Sequence, residues 1–161
     1  MAQKVYGPAS EKQRLMLTAK EDIIFIGGAS GSGKSQCLLM KNLDVTQNPG
    51  HRVVICRNSR PDLTQAGGLV SESESLYYDF KADFNKTNLT WTFQTGSTIQ
   101  FLAVPDEVTL KKRQGLQASR VCIDEVCETW TQEMVLFLLI HSIYMDNWLI
   151  ICLIQCRRRI R

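Results

Sequence analysis

The sequence predicts an α/β fold, a mainly parallel β-sheet flanked by helices. Three observations carry that expectation. Short, continuous apolar runs recur at 22–27 (DIIFIG), 52–57 (RVVICR) and 120–125 (RVCIDE), as in strands buried on both faces of a parallel sheet. Stretches with helical spacing alternate with them. A glycine-rich loop, GGASGSGKS (27–35), leads from the first run straight into one of those helices.

Each element has a local reason. Ser10, with Gln13 three residues on, is a capping-box pattern that starts a short helix in SEKQRLMLTAK. DIIFIG follows as a strand. KSQCLLMKNLDVTQ is helical, with Cys37, Leu38, Leu39 and Leu43 apolar, and ends at the breaker NPG (48–50). RVVICR is the second buried strand, and NSRPDL after it reads as a breaker. Residues 71–84 read as a helix, whose acidic start in SESES suits a helix N-terminus. LTWTF and TIQFLA, joined through QTGS, form a hairpin over 89–103 that turns at Gly96. An irregular charged segment leads into RVCIDE. A helix over about 129–143 and a last strand over about 148–154 complete the pattern. No repeat, low-complexity tract or domain-sized linker interrupts it, so residues 1–161 read as one domain.

The bulk numbers narrow the classes. Apolar residues at 44% and charged residues at 22% are those of a globular chain and not a disordered one. The net charge of +3 comes from the tail: removing Arg157, Arg158, Arg159 and Arg161 from the 19 basic residues leaves 15 against 16 acidic ones. The body therefore has no net-charge signature for nucleic acid. The six cysteines form no CxxC pair and read as reduced core residues of a cytosolic protein. The polar N-terminus is no signal peptide. The apolar run 134–154 is broken by His141, Asp146 and Asn147 and reads as helix, turn and strand, not as a membrane span.

The chemistry lies in two motifs. Gly28-Ala29-Ser30-Gly31-Ser32-Gly33-Lys34-Ser35 matches the phosphate-binding P-loop, in the strand–loop–helix context that the motif requires. Glycines let successive backbone N–H groups turn inward on phosphate oxygens, and the helix N-terminus adds its dipole. Lys34 would reach the β- and γ-phosphates, and the Ser35 hydroxyl would bind Mg²⁺. In RVCIDE, Asp124 stands at the C-terminal end of an apolar strand, where ligands of open α/β sheets bind. It would hold the same metal, while Glu125 would orient or deprotonate an attacking water. Together the motifs specify a P-loop NTPase of the RecA/ASCE-like kind. The guanine-reading NKxD and the transporter LSGGQ motifs are both absent, which favours an ATPase that drives motion.

YGPASEKQRLMLTAKEDIIFIGGASGSGKS, VVICRNSRPDL and GSTIQFLAVPDEVTLKKRQGLQASRVCIDEVCE, taken in that order, resemble the ATPase domain of phage terminase large subunits, the motors that package DNA into procapsids. The resemblance covers about residues 6–130. It implies that Gln13, with Tyr6 and Pro8 nearby, reads adenine, which a glutamine amide can do with one donor and one acceptor. It implies that Arg57 and Arg60 act as an arginine finger or phosphate sensor. It also implies ATP and Mg²⁺ as ligands. The partners it implies are double-stranded DNA, further copies in a ring, a portal and a small terminase subunit, with no membrane, in the cytoplasm of a bacterial host.

The sequence departs from the family in three places. The loop carries no arginine, so a finger must come from elsewhere in the chain or from a neighbouring subunit. The polar coupling motif after the DE strand is replaced by WLIICLIQC, with Gln155 its one polar candidate. The family's nuclease domain would begin past residue 161, so the chain is expected to be an ATPase domain cut short at its C-terminal end. The terminal CRRRIR reads either as a DNA-contacting tail or as out-of-register or fragment-end sequence, with the second favoured. Two alternatives to a packaging motor stay open: another nucleic-acid ATPase such as a helicase, and an idle remnant that only binds nucleotide.

Overall fold

A computed structural model of the chain describes residues 6–29, 31–113, 117–126 and 130–136, together with the backbone of 149–155. Its elements run α1 (Glu11–Thr18), β1 (Ile23–Gly28), α2 (Lys34–Lys41), β2 (Arg52–Arg57), α3 (Arg60–Thr64), α4 (Leu69–Tyr77), β3 (Asp83–Asn85), β4 (Thr90–Thr92), β5 (Thr98–Ala103), α5 (Glu107–Lys111), β6 (Arg120–Ile123) and β7 (Leu149–Gln155). Residues 132–136 are also helical. The strands form one sheet in the order β1-β7-β6-β2-β5-β4-β3. The first five are mutually parallel, and β4 and β3 extend the sheet antiparallel. This is the mainly parallel α/β sheet that the apolar runs predict.

Strand alternation divides the core between the two faces. On β2, Val53 and Ile55 face one side and Val54 and Cys56 the other. Ile99 and Phe101 of β5 and Cys122 of β6 join the first side, under α1, α2 and α4. Leu102, Val121 and Ile123 join the second, under Leu110 of α5 and Met134. Trp91 of β4 anchors the first side. It is fully buried, stacks on Phe84 at 4.5 Å, and donates from Nε1 to Ser73 Oγ at 2.9 Å.

A buried polar cluster fastens the N-terminal ends of the strands. Arg120, at the start of β6, donates from Nη1 to the Lys41 carbonyl and to Asn42 Oδ1. It also grips both oxygens of Asp44, at 2.6 and 3.2 Å. Lys41 Nζ in turn closes the C-terminal end of α1 through the carbonyls of Leu17 and Ala19. One sheet strand and two helices are thus held by two cations that burial would otherwise disfavour.

Several elements differ from expectation. DIIFIG is a strand but is not buried on both faces: β1 lies at the sheet margin and Phe25 is 58% exposed. The helix from Lys34 stops at Lys41, and only a 3₁₀ turn, Val45–Gln47, remains of its predicted second half. NSRPDL is no breaker: Ser59 caps α3, and Pro61 sits in the first turn, where its missing N–H has no bond to lose. The helix over 71–84 starts earlier and ends at Tyr77, because residues 83–85 pair with β4 as a third hairpin strand. The irregular segment before β6 contains α5, capped by Asp106. Cys37 and Cys56 are buried free thiols, and Cys122 is buried between the sheet and Asn42; burial pushes Cys37 up to about 11 and Cys56 up to about 12. No helix among the described residues is long and apolar enough to cross a membrane. The arginine tail and most of the helix over 129–143 lie outside the described residues.

Asp44→Ala should lower the unfolding free energy by about 2 kcal/mol, because it strips a buried guanidinium of its carboxylate. Arg120→Met, which removes the buried charge itself, should cost less. Urea denaturation of the two variants beside the parent measures both, and equal losses would contradict this account.

Candidate functional site

The loop between β1 and α2 is shaped by its glycines. Gly31 and Gly33 both have φ of +73°, a left-handed conformation that side chains with a β-carbon resist. Gly33 is also the N-cap of α2, and no side chain caps that helix. Its first backbone N–H groups therefore have no capping side chain. Lys34 curls back over the loop, donating from Nζ to the carbonyls of Ala29 at 2.7 Å and Gly28 at 3.1 Å. Gly28 has little room for more: a β-carbon there would stand 3.0 Å from Ser32 Oγ. Ser30 lies outside the described residues.

Gln13 braces this loop from α1. Its backbone N–H donates to Ser10 Oγ, as the capping pattern predicts. Its side chain reaches back to the N–H of Ala9 instead of that of Ser10 itself. The amide Nε2 is within hydrogen-bonding reach of the Ser32 and Gly33 carbonyls, at 3.5 and 3.4 Å. A β-carbon at Gly33 would sit only 2.6 Å from that nitrogen. Gln13 is thus buried against the phosphate loop, with its amide committed to protein groups at both ends.

Across from the loop stands the acidic pair. Asp124 follows the last residue of β6 and extends the ladder by one bond, from its N–H to the Cys56 carbonyl at 2.9 Å. Since Cys56 pairs with Ile123, the next residue of β2, Arg57, comes level with Asp124. Arg57 Nη2 binds Glu125 Oε2 at 2.8 Å, and Nη1 lies 3.6 Å from Asp124 Oδ2. Burial opposes the Arg57 charge, but Asp124 and Glu125 outweigh it and hold the guanidinium above its usual range. Burial pushes Asp124 up to about 6, with the Arg57 charge opposing. Its Oδ2 is buried without a hydrogen bond. Glu125 has φ of +58°, a left-handed backbone that costs a non-glycine residue about 1 kcal/mol or more.

These parts meet at one cavity of about 760 Å³, lined by residues 31–36 of the loop and α2 and by Asp124 and Glu125. That volume suits a small-molecule ligand. Arg57 stands behind the carboxylates and is not part of the wall. Arg60 is exposed and donates to the carbonyls of Lys86 and Thr87, which ties α3 to the hairpin. Tyr6 lines the cavity, its hydroxyl donating to the Ser75 carbonyl and to Asp79. The sequence motifs do not announce the opposite wall, made by Gly67 and by Glu72, Ser75 and Leu76 of α4. Their 72/75/76 spacing puts the three on one helical face; without the cavity, that spacing reads as ordinary amphipathicity. Gln155 is known here through its backbone alone, in register with Gly28.

No family model matches the chain, and neither does any curated protein sequence. Solved structures do. The large terminase of a thermophilic bacteriophage superposes with a TM-score of 0.75 at 15% identity, over 92% of this chain and 39% of that one. The same terminase in complex with ATP-gamma-S gives 0.71 at 16% identity, over 91% and 38%. The N-terminal domain of the DNA packaging ATPase from bacteriophage phi29 gives 0.63 at 15% identity, over 92% and 80%. The chain therefore has the fold of phage large terminase ATPase domains, and it spans about two fifths of the thermophilic phage terminase.

Two outcomes follow from this geometry. Gly33→Ala should destabilise the fold through both its strained φ and the clash with Gln13; in a Gln13→Ala background only the strain, about 1–2 kcal/mol, should remain. Asp124 binds its proton more tightly folded than unfolded, so unfolding free energy should fall by about 2–3 kcal/mol as pH rises from about 4 to about 6. Without nucleotide or metal, Asp124→Asn should flatten that drop and be more stable than the parent at a pH of about 7.5. Chemical denaturation across the pH range reads both, and a parent that loses nothing over that interval would contradict the second.

Proposed function

We propose that this chain is the ATP-hydrolysing part of a viral DNA-packaging motor, active in the cytoplasm of an infected bacterial cell. The observation that carries the reading is the shared cavity, which sets the glycine loop and Lys34 opposite Asp124 and Glu125. The likeness in fold to phage terminases supports it, as does the order of the flanking sequence motifs.

The triphosphate of ATP lies along residues 28–35, against the loop N–H groups and the uncapped end of α2, and Lys34 exchanges its loop carbonyls for the β- and γ-phosphates. Ser35 and Asp124 would hold Mg²⁺, which offsets phosphate charge when bound; the buried, unbonded Oδ2 of Asp124 fits a cation. Glu125 takes the proton of the attacking water. Arg57 restrains that step, because a carboxylate bound to a guanidinium is a weaker base than a free one. It is a brake on Glu125 before it is a finger on phosphate. Among the described residues Lys34 is the one cation on the cavity wall, so we assign the transition-state arginine to a neighbouring copy in a ring. Tyr6 lines the cavity where the base would sit, and Gln13 braces the loop from behind, its amide bound to Ala9, Ser32 and Gly33. Double-stranded DNA, a portal and a small terminase subunit are the partners of such a motor.

Hydrolysis of ATP by the purified chain, with and without double-stranded DNA, tests the reading. Glu125→Gln should cut turnover by about 10²- to 10⁴-fold and leave nucleotide affinity intact. Lys34→Ala should weaken ATP binding by about 100-fold, because it removes charge-assisted bonds. Turnover that survives Glu125→Gln, or tight ATP binding by Lys34→Ala, would rule out these roles.

A further inference from the structure

Arg57 is a half-buried guanidinium, its side chain 14% exposed, and the proposed chemistry makes claims on both of its carboxylates. Glu125 must turn to a water and Asp124 to a cation. What then remains to Arg57 is Asp62: its carbonyl accepts from Nη1 at 3.3 Å, and its carboxylate, already bound to Ser59 Oγ at 2.5 Å, acts on the guanidinium only through its charge. Its Nε is buried without a hydrogen bond even now. A carbonyl and a carboxylate already taken by Ser59 leave the other guanidinium donors of a half-buried charge unmatched, so Arg57 needs another acceptor before Glu125 can leave.

The fold supplies one. The start of α4 is built on the same Asp62 carbonyl that holds Arg57. A β-carbon at Gly68, the N-cap of α4, would lie 2.9 Å from that oxygen and 2.8 Å from the Leu63 oxygen, so glycine is what lets the helix approach so closely. One turn along, the Glu72 N–H donates to the Gly68 carbonyl at 2.9 Å. This sets the Glu72 carboxylate in the cavity wall with Glu125. Glu72 is exposed toward the cavity. The wall around it partly desolvates its carboxyl and pushes it up, and the Arg57 charge pulls it back, so the two act on each other while Arg57 is still bound to Glu125.

We propose that Glu72 is the second acceptor of the Arg57 guanidinium, taking it when nucleotide draws Glu125 toward the water. Glu72 is then a positioning residue: it acts on the base by holding the arginine off it. This rests on the reading of Glu125 as the base and of residues 28–35 as the nucleotide loop.

The Arg57 Nε–H signal in a ¹⁵N-labelled chain follows the transfer directly, assigned by its loss in Arg57→Lys. Saturating Mg-ATP-gamma-S should displace it in the parent. In Glu72→Gln the same nucleotide should leave it within a linewidth of its starting position, while the Gly31 and Gly33 amides report that the loop is filled. Equal displacement in both proteins overturns the proposal, and so does a signal that never moves in the parent. Loop amides that ignore nucleotide would defeat the nucleotide reading first, and this inference with it. In turnover, Glu72→Gln should lower kcat by about tenfold with KM for ATP unchanged, and Glu72→Asp should recover part of the loss. In an Arg57→Gln background Glu72→Gln should add nothing; a full further loss there would show that Glu72 acts by another route.

Discussion

Cys56 pairs with Ile123 at the centre of the sheet, and one residue later both strands leave it. That register decides what the site contains. It sets Arg57 beside Asp124 and Glu125, and it aims the two carboxylates at the loop that closes on α2. Slipping β2 against β6 by one residue would turn the apolar alternation of Val53 to Cys56 inside out. The hydrophobic core on both faces therefore holds the register, and the register holds the acidic pair.

The site is stabilised around groups that destabilise it. Asp124 is buried and carries an oxygen without a hydrogen bond, Glu125 holds a left-handed backbone, and Arg57 has a nitrogen with no acceptor. Each is unfavourable alone, and each is tolerated because Trp91, Tyr77 and the two apolar faces over-determine the sheet beneath them. The Arg120 cluster at the opposite ends of the strands shares one such defect, an Nε without an acceptor, but its other donors reach carbonyl, amide and carboxylate oxygens. The site end thus adds a left-handed backbone and a buried carboxylate to its ion pairs.

Local chemistry makes much of this legible in the sequence. The loop 28–35, the Ser10 cap, the hairpin around Gly96 and the Asp124–Glu125 pair at a strand end are all written in consecutive residues. What depends on long-range pairing is not. The Arg57 contact needs the β2–β6 register, which no local pattern encodes. Glu72 reads as a helix-start acid because its neighbours across the cavity lie far away in the chain. The exposed face of β1 is hidden for the same reason: an apolar run predicts burial, while the order of strands decides whether anything lies above it. Even Gln13, a candidate from its sequence context, touches the loop itself, a contact that spacing alone could not give.

The place of β1 has a consequence for how the chain is made. Ile23 pairs with Ile150 and Gly28 with Gln155, so among the described residues the first strand finds its sheet partner only in the last. At synthesis rates of about 5–20 residues per second, β1 leaves the ribosome roughly 6–25 s before β7 exists. During that wait its free edge and the Phe25 side chain stand open to other chains. The phosphate loop, attached to β1, cannot be set against the acidic pair until the strand between them arrives. The cavity is thus assembled only once β7 has been made, and a nascent chain is open to chaperones well before its two walls can meet.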